Sequence, residues 1–204
     1  MKKRIYKKII LIGGIAGSGK TTISEYISHT SPFIHIDKDK VTRTMLEELL
    51  IKNGKEKDDR ESKTYVEKVR PFEYKQFFEI IYHLSEANYI IASAPFLKEF
   101  QDEKWIEEQK KYFEKELEAH LIIIWVETDV FETKERLIKR GASRDKYKLE
   151  HFEEYAEAMK NAEKNIKEQI SKNQHSFVVK NIEGGLKETY DFINEIIYKI
   201  NKIV

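Results

Sequence analysis

The chain has 204 residues, 40% hydrophobic and 36% charged, and its 37 Lys and Arg against 36 Asp and Glu leave a formal net charge of +1. That length suits one hydrophobic core, the mixed charges suit a well-solvated folded surface, and the even balance argues against an obligatory nucleic-acid partner or an anionic membrane. With no cysteine there is no disulfide, thiolate metal site or cysteine nucleophile, and His29, His35, His83, His120, His151 and His175 show no close metal-ligand spacing.

Met1-Lys2-Lys3-Arg4 ahead of Ile9-Ile10-Leu11-Ile12 has the outline of a signal peptide, but the apolar run passes directly into a glycine-rich loop. No run approaches the roughly 18 apolar residues of a membrane span, so we expect a cytoplasmic protein. Lys7 to Gly13 reads as a buried parallel strand, followed by a helix with Ile23, Tyr26 and Ile27 on one face. A second strand, Phe33 to Asp37, leads into a helix carrying Val41, Met45, Leu46, Leu49 and Leu50.

Residues 53–71 are polar and charge-dense and are expected to form a mobile flap, after which Pro71 opens a helix through Phe77, Phe78, Ile81 and Leu84. A third strand, Tyr89 to Ala94, stops at Pro95, and a charged helix with Trp105, Ile106 and Phe113 follows. His120 to Glu127 is the central strand. A helix through Leu137 ends in a basic loop, Lys139 to Lys146, with Gly141 as its stop, and a lid is expected over 139–150. A long helix with Phe152, Tyr155, Met159, Ala162, Ile166 and Ile170, a last strand from His175 to Lys180 and a helix through Ile193 and Ile200 complete the chain. No repeat or low-complexity linker divides it, so residues 1–204 are read as one domain. Alternating strands and helices predict an α/β fold whose five-stranded parallel sheet binds ligands at the carboxyl ends of its strands.

Gly14-Ile15-Ala16-Gly17-Ser18-Gly19-Lys20-Thr21 matches the pattern G-x-x-x-x-G-K-[ST] between a strand and a helix. Glycines are needed there because the loop amides curl around phosphate oxygens and side chains would block the approach. The amides of Gly14, Ala16, Gly17, Ser18 and Gly19 and the helix start at Thr21-Thr22 are expected to hold the phosphates of ATP, with Lys20 on the β- and γ-phosphates and the Thr21 hydroxyl on magnesium.

The second strand ends in Asp37-Lys38-Asp39, at the expected position of the γ-phosphate. A carboxylate there takes an acceptor's proton or orders the metal's water shell; Asp39 is the first choice for the base and Asp37 the second, with helix capping the alternative role for Asp39. Arg136, Arg140 and Arg144 recur at four-residue spacing and suit phosphate oxygens, Arg136 on the nucleotide and the other two on the transferred group; a solvated helix end is the plainer account. Asp37, Arg43, Asp59, Arg60, Arg70 and Ser93 are candidates for the acceptor site, against an ordinary solvated charge run for the flap residues. Asn181-Ile182-Glu183-Gly184-Gly185 is either an adenine-side loop or a turn.

The loop Gly14 to Thr22, the stretch His35 to Arg43, Asp59-Arg60-Glu61-Ser62 with Val69 to Tyr74, Ser93-Ala94-Pro95-Phe96-Leu97, and Arg140-Gly141-Ala142-Ser143-Arg144-Asp145 with Lys148-Leu149 together resemble a bacterial group of zeta-toxin-like P-loop proteins labelled AAA-family ATPases. That group is similar to chloramphenicol phosphotransferase, zeta toxins and polynucleotide 5′-hydroxyl kinase domains. The resemblance implies a P-loop fold of the nucleoside-monophosphate-kinase type and an aspartate base matching Asp39. One departure is plain: the third strand ends Ile90-Ile91-Ala92-Ser93, without the acid that supports magnesium in many P-loop proteins, so Ser93 or Asp37 is left to substitute. The expectation is an ATP- and magnesium-dependent kinase, monomeric or homodimeric, acting on a hydroxyl of a small molecule. A nucleotide-binding regulatory module and a polynucleotide 5′-hydroxyl kinase are the alternatives.

Overall fold

The computed structural model describes residues 7–86, 89–181 and 185–203. Strands β1 (Lys7–Gly14), β2 (Phe33–Asp37), β3 (Tyr89–Ser93), β4 (Ala119–Glu127) and β5 (Ser176–Lys180) form one parallel sheet in the order β2-β3-β1-β4-β5. Its helices are α1 (Lys20–Thr30), α2 (Lys38–Val41), α3 (Arg43–Lys52), α4 (Arg70–Ser85), α5 (Glu103–Glu116), α6 (Val130–Arg140), α7 (Lys146–Glu150), α8 (Phe152–Ser171) and α9 (Leu186–Asn201).

The unbroken apolar runs of β1 and β4 follow from burial on both faces, since successive side chains point to opposite sides of a sheet. Ile9, Leu11, Leu121, Ile123 and Trp125 pack with Phe77 and Ile81 of α4, Phe113 of α5 and Ile166 and Ile170 of α8. Ile10, Ile12, Ile122 and Ile124 pack on the other face with Ile23 and Ile27 of α1 and Ile193, Ile196 and Ile200 of α9. Register aligns the carboxyl ends: Ile12 lies opposite Ser93 and Ile124, and Ser93 lies opposite Asp37. The glycine loop after β1, the turn of residues 37–39 after β2 and the Pro95 loop after β3 leave this edge, while the flap and lid join helices beyond it.

The helix expected to open at Pro71 begins earlier. Lys63 and Thr64 are already helical, Tyr65–Val69 forms a π-helical turn closed by Arg70 N–H to the Tyr65 carbonyl, and α4 continues from Arg70. Pro71 has no N–H for the carbonyl four residues before it, and the wide turn sits where that bond is lost. Tyr65 and Val69 anchor the turn by packing with Leu46 and Leu50 of α3. The irregular part of the expected flap therefore narrows to residues 53–62. Gly141 ends α6 as expected, at φ 60°, and its N–H bonds the carbonyls of Leu137 and Ile138. Among the described residues no helix is long and apolar enough to cross a membrane.

Candidate active site

The glycine loop joins β1 to α1. Gly17 and Gly19 have φ of 81° and 88°, and Gly19 is the N-cap of α1 without any side-chain cap. The first amides of α1 are thereby left for a ligand, which is the condition for holding an anion at a helix start. A Cβ on Gly19 would also overlap the side-chain amide of Asn181. That amide donates to the Ser18 carbonyl at 2.7 Å, while Asn181 receives Thr128 Oγ1 at 2.8 Å and donates its N–H to Glu127 at 2.8 Å. Asn181 thus braces the loop from the end of β5; Ile182, Glu183 and Gly184, where an adenine-side loop was considered, lie outside the described residues. Arg136 braces it from α6, donating from Nη1 to the Gly17 carbonyl at 3.2 Å and from Nη2 to Glu132 at 3.1 Å.

Lys20 bends back so that Nζ donates to the Ile15 carbonyl at 3.3 Å. Burial lowers its pKa to about 8; Asp39 and Asp37 oppose the shift, and Arg140 and Arg144 add to it. Lys20 thus sits among two carboxylates and two guanidinium groups at the mouth of the glycine loop, where its ammonium can meet a polyphosphate held by the loop amides.

The two aspartates after β2 divide. Asp37 accepts the Thr21 hydroxyl at 3.1 Å through Oδ2 and caps α2 through Oδ1, which receives Lys40 N–H at 3.3 Å. Capping therefore belongs to Asp37, not to Asp39. Asp37 was expected on the acceptor side but does not line the cavity described below. A hydroxyl and a carboxylate in contact at the loop make a hard oxygen pair of the kind magnesium takes. Ser93 instead meets His35 Nε2 at 2.8 Å and stays buried at the end of β3.

Asp39 faces a cavity of about 300 Å³ that also receives Lys20, Arg140 and Arg144. Its Oδ2 pairs with Arg144 Nη1 at 2.7 Å and its Oδ1 with Lys38 Nζ at 3.0 Å. Desolvation alone would raise the Asp39 pKa, but the charges of Lys38 and Arg144 and the Lys38 hydrogen bond outweigh it and hold the carboxyl well below its ordinary range. Arg140 is held by Asp145 through Nε at 2.8 Å and Nη2 at 2.5 Å. Arg140 and Arg144 enter the cavity, while Arg136, expected on the nucleotide, supports the loop carbonyl of Gly17 without lining the cavity.

Of the flap candidates, Arg60 and Arg70 line the cavity. Asp59 turns away to accept the N–H groups of Glu61 at 3.1 Å and Ser62 at 2.9 Å, so it shapes the flap. Arg43, at the start of α3, is exposed and outside the cavity. Flap and lid meet through Glu61 with Lys148 and Asp58 with Ser143.

Three residues in and behind the site were given no role by the sequence reading: Tyr155 on the cavity wall, and Glu73 and Phe96 buried behind it. Glu73 is fully buried and accepts from Lys38 Nζ, from Thr42 Oγ1 at 3.2 Å and from Tyr65 OH at 2.9 Å. Its signal was an acid four and eight residues before Phe77 and Ile81, on the buried stripe of α4. Tyr155 lines the cavity and receives the Ala16 amide, and burial raises its pKa. Phe96 takes φ 49° immediately after Pro95 and stacks on Phe100 with centroids 4.9 Å apart. Nothing local announces a bulky residue in that conformation; the packing imposes it.

A parallel sheet in this strand order, with the glycine loop after β1 and both flap and lid above it, is the architecture of P-loop kinases, and this fold is of that class. The AAA domain family matches residues 9–163, and the chain belongs to that family. Comparison with curated protein sequences gives no significant match. Among solved structures, shikimate kinase from Acinetobacter baumannii in complex with shikimate aligns with a TM-score of 0.58 at 16% identity, covering 98% of this chain and 96% of that one. Deoxyadenosine kinase from M. mycoides with bound dCTP gives 0.57 at 19%, covering 96% and 100%. A gluconokinase from Sinorhizobium meliloti 1021 gives 0.53 at 13%, covering 97% and 95%. At these identities the likeness is one of fold.

Proposed function

We propose that this protein is an ATP- and magnesium-dependent phosphotransferase that moves the γ-phosphoryl group to a hydroxyl of a small molecule. The observation that carries the reading is the convergence of Lys20, Asp39, Arg140 and Arg144 on one cavity beneath a flap and lid. Hydrolysis by water requires no such second compartment. The kinases among the fold's neighbours and the resemblance to zeta toxins and chloramphenicol phosphotransferase agree with this reading, without naming an acceptor.

ATP, when bound, supplies the phosphoryl group; the loop amides and Lys20 would hold its phosphates, and Thr21 with Asp37 would hold the magnesium ion. The acceptor oxygen forms a bond to phosphorus, the bond to the β-phosphate oxygen breaks with its electron pair leaving on ADP, and the acceptor proton passes to Asp39. A strongly acidic carboxyl suits this role poorly while it is paired with Arg144. Phosphate oxygens compete for that guanidinium, and transfer of Arg144 to them removes one of the two charges that depress Asp39, Lys38 remaining beside it. Little proton transfer is needed before the largely dissociative transition state, so orientation of the hydroxyl matters more than base strength.

The test is a screen of metabolites and oligonucleotides for ATP-dependent gain of one phosphate by mass. A small-molecule product that disappears in Lys20→Met is the expected result. ATP turnover that proceeds equally with and without every acceptor would sink the proposal in favour of a regulatory ATPase module. Product formed only on oligonucleotide 5′ ends would replace the small acceptor with a polynucleotide.

A further inference from the structure

The charges on the acceptor wall are unevenly satisfied. Lys38, Arg144, Arg140 and Lys148 meet Glu73, Asp39, Asp145 and Glu61 respectively, and Lys20 belongs to the phosphate loop. Lys98 lies exposed on the wall, and two further guanidinium groups line it: Arg70, which is paired with Glu99, and Arg60. Arg60 has no carboxylate partner among the described residues: its Nη1 donates to the carbonyls of Lys57 at 2.9 Å and Asp59 at 3.1 Å. Arg70 is only 18% exposed and donates to Glu99 from Nη2 alone, at 2.7 and 2.9 Å. Arg70 also lies over the ring of Tyr74, 4.0 Å from its centroid, and Arg60 lies over Tyr65 at 5.9 Å. All four side chains line the cavity.

We infer that the acceptor is a small alcohol that carries an anionic group, carboxylate or phosphate, and that Arg60 and Arg70 bind that group; the inference rests on the phosphotransferase reading. A guanidinium is always charged and offers donors in a planar fork that matches both anions. Tyr74 lies against one face of Arg70 and Tyr65 stands farther from Arg60, and in-plane N–H groups of both remain as the means of recognition. Nη2 and Nε of Arg60, and Nη1 and Nε of Arg70, have no partner among the described residues, and a neutral sugar hydroxyl would leave the Arg60 charge uncompensated. The cavity also sets the scale. At about 300 Å³ it stands at the low end of ligand pockets, which run from roughly 300 to 1,000 Å³, and it must admit the terminal phosphate beside Lys20 as well. Hydroxy acids and sugar phosphates of monosaccharide size meet both limits.

The experiment saturates the full-length protein with magnesium and a non-hydrolysable ATP analogue, so that the phosphate loop is filled, and titrates matched probes by calorimetry. One set is D-glycerate, glycerol 3-phosphate and glycerol; the other is D-gluconate, ribose 5-phosphate and ribose. At least one anion in a set should bind ten times or more tighter than its neutral partner. The preferred anion then tells carboxylate from phosphate. Arg60→Gln breaks no ion pair and should weaken that anion at least tenfold with nucleotide affinity kept. Arg70→Gln strands Glu99, so its loss is scored only with circular dichroism showing a folded protein. Neutral probes binding as well as anions, anion binding unchanged in both variants, or no anion binding to the nucleotide-loaded protein would overturn the inference. A nucleotide analogue that fails to bind, or binds Lys20→Met equally well, would sink the phosphotransferase reading and this inference with it.

Discussion

Glu73→Gln should cost stability out of proportion to its chemistry. The wild-type carboxylate is fully buried and receives Lys38, Thr42 and Tyr65, while the Lys38 side chain is itself only 4% exposed. Glutamine keeps the shape and one acceptor but removes the charge. Lys38 then retains only Asp39, 3.0 Å away, whose side chain is 40% exposed and already shared with Arg144. Breaking a buried pair by removing one partner costs about 3–5 kcal/mol, and the surviving Asp39 contact places this case near 3 kcal/mol. For a chain of this length that corresponds to a fall in Tm of about 6–12 °C. Urea denaturation with an unchanged slope, supported by calorimetry, measures it. Lys38→Met combined with Glu73→Gln should recover most of the loss, because the stranded ammonium is gone. A single variant that loses less than about 1 kcal/mol, the scale of an exposed pair, would refute the reasoning, as would a double variant less stable than the single one.

Lys20 should make nucleotide binding pH-dependent. Its pKa of about 8 in the free protein rises toward the ordinary 10.5 once phosphate surrounds it, so between those values binding takes up a proton and affinity falls as pH rises. Calorimetry near pH 8.5 in buffers of different ionisation enthalpy should show the uptake, absent in Lys20→Met; no uptake in the wild type would contradict it. The same depressed pKa means the folded state binds fewer protons than the unfolded one across that window, so the free protein should gain stability as pH rises through it. Asp39→Asn should remain folded, with some stability lost along with its ion pairs to Arg144 and Lys38, and keep magnesium-ATP binding but lose transfer by roughly 10²- to 10⁴-fold; normal turnover would remove Asp39 from the proton's path. Asp37→Asn should raise the magnesium concentration for half-maximal activity at least tenfold while metal-free nucleotide affinity holds, and an unchanged requirement would detach Asp37 from the metal.

What was legible in the sequence was what local chemistry dictates. Ile9 to Ile12 and Leu121 to Val126 are continuous apolar runs because their strands are buried on both faces, and β2 falls at Phe33–Asp37 as read. The glycine loop declares itself because the backbone must turn at Gly17 and Gly19 whatever surrounds it. Side-chain partners across the fold were not legible. Spacing and the stop at Gly141 were readable for Arg136, Arg140 and Arg144, but not the tertiary contacts that send them to the loop carbonyl, to Asp145 and to Asp39. The flap was misjudged at its C-terminal end for a similar reason. Its polar composition suggested mobility, but Tyr65, Val66 and Val69 find apolar surface on α3 against which a helical turn packs.

The acid missing from β3 has a topological explanation. In the order β2-β3-β1, Ser93 lies in register with both Asp37 and Ile12, so the ends of three strands meet beside the loop. Moving a carboxylate from β3 to β2 shifts it by one strand spacing, about 4.8 Å, which is within the reach of a side chain; Asp37 covers it and meets Thr21. The move brings the two carboxylates of the proposed metal and acceptor sites, Asp37 and Asp39, onto one junction. Asp37 caps α2 and Asp39 lies in its first turn, so the helix itself sets their separation. Between them Lys38 points into the core and is fastened by Glu73 on α4, which also holds Tyr65 at the start of the cavity wall. One buried acid therefore ties the turn that carries Asp37 and Asp39 and the start of the cavity wall at Tyr65 to α4.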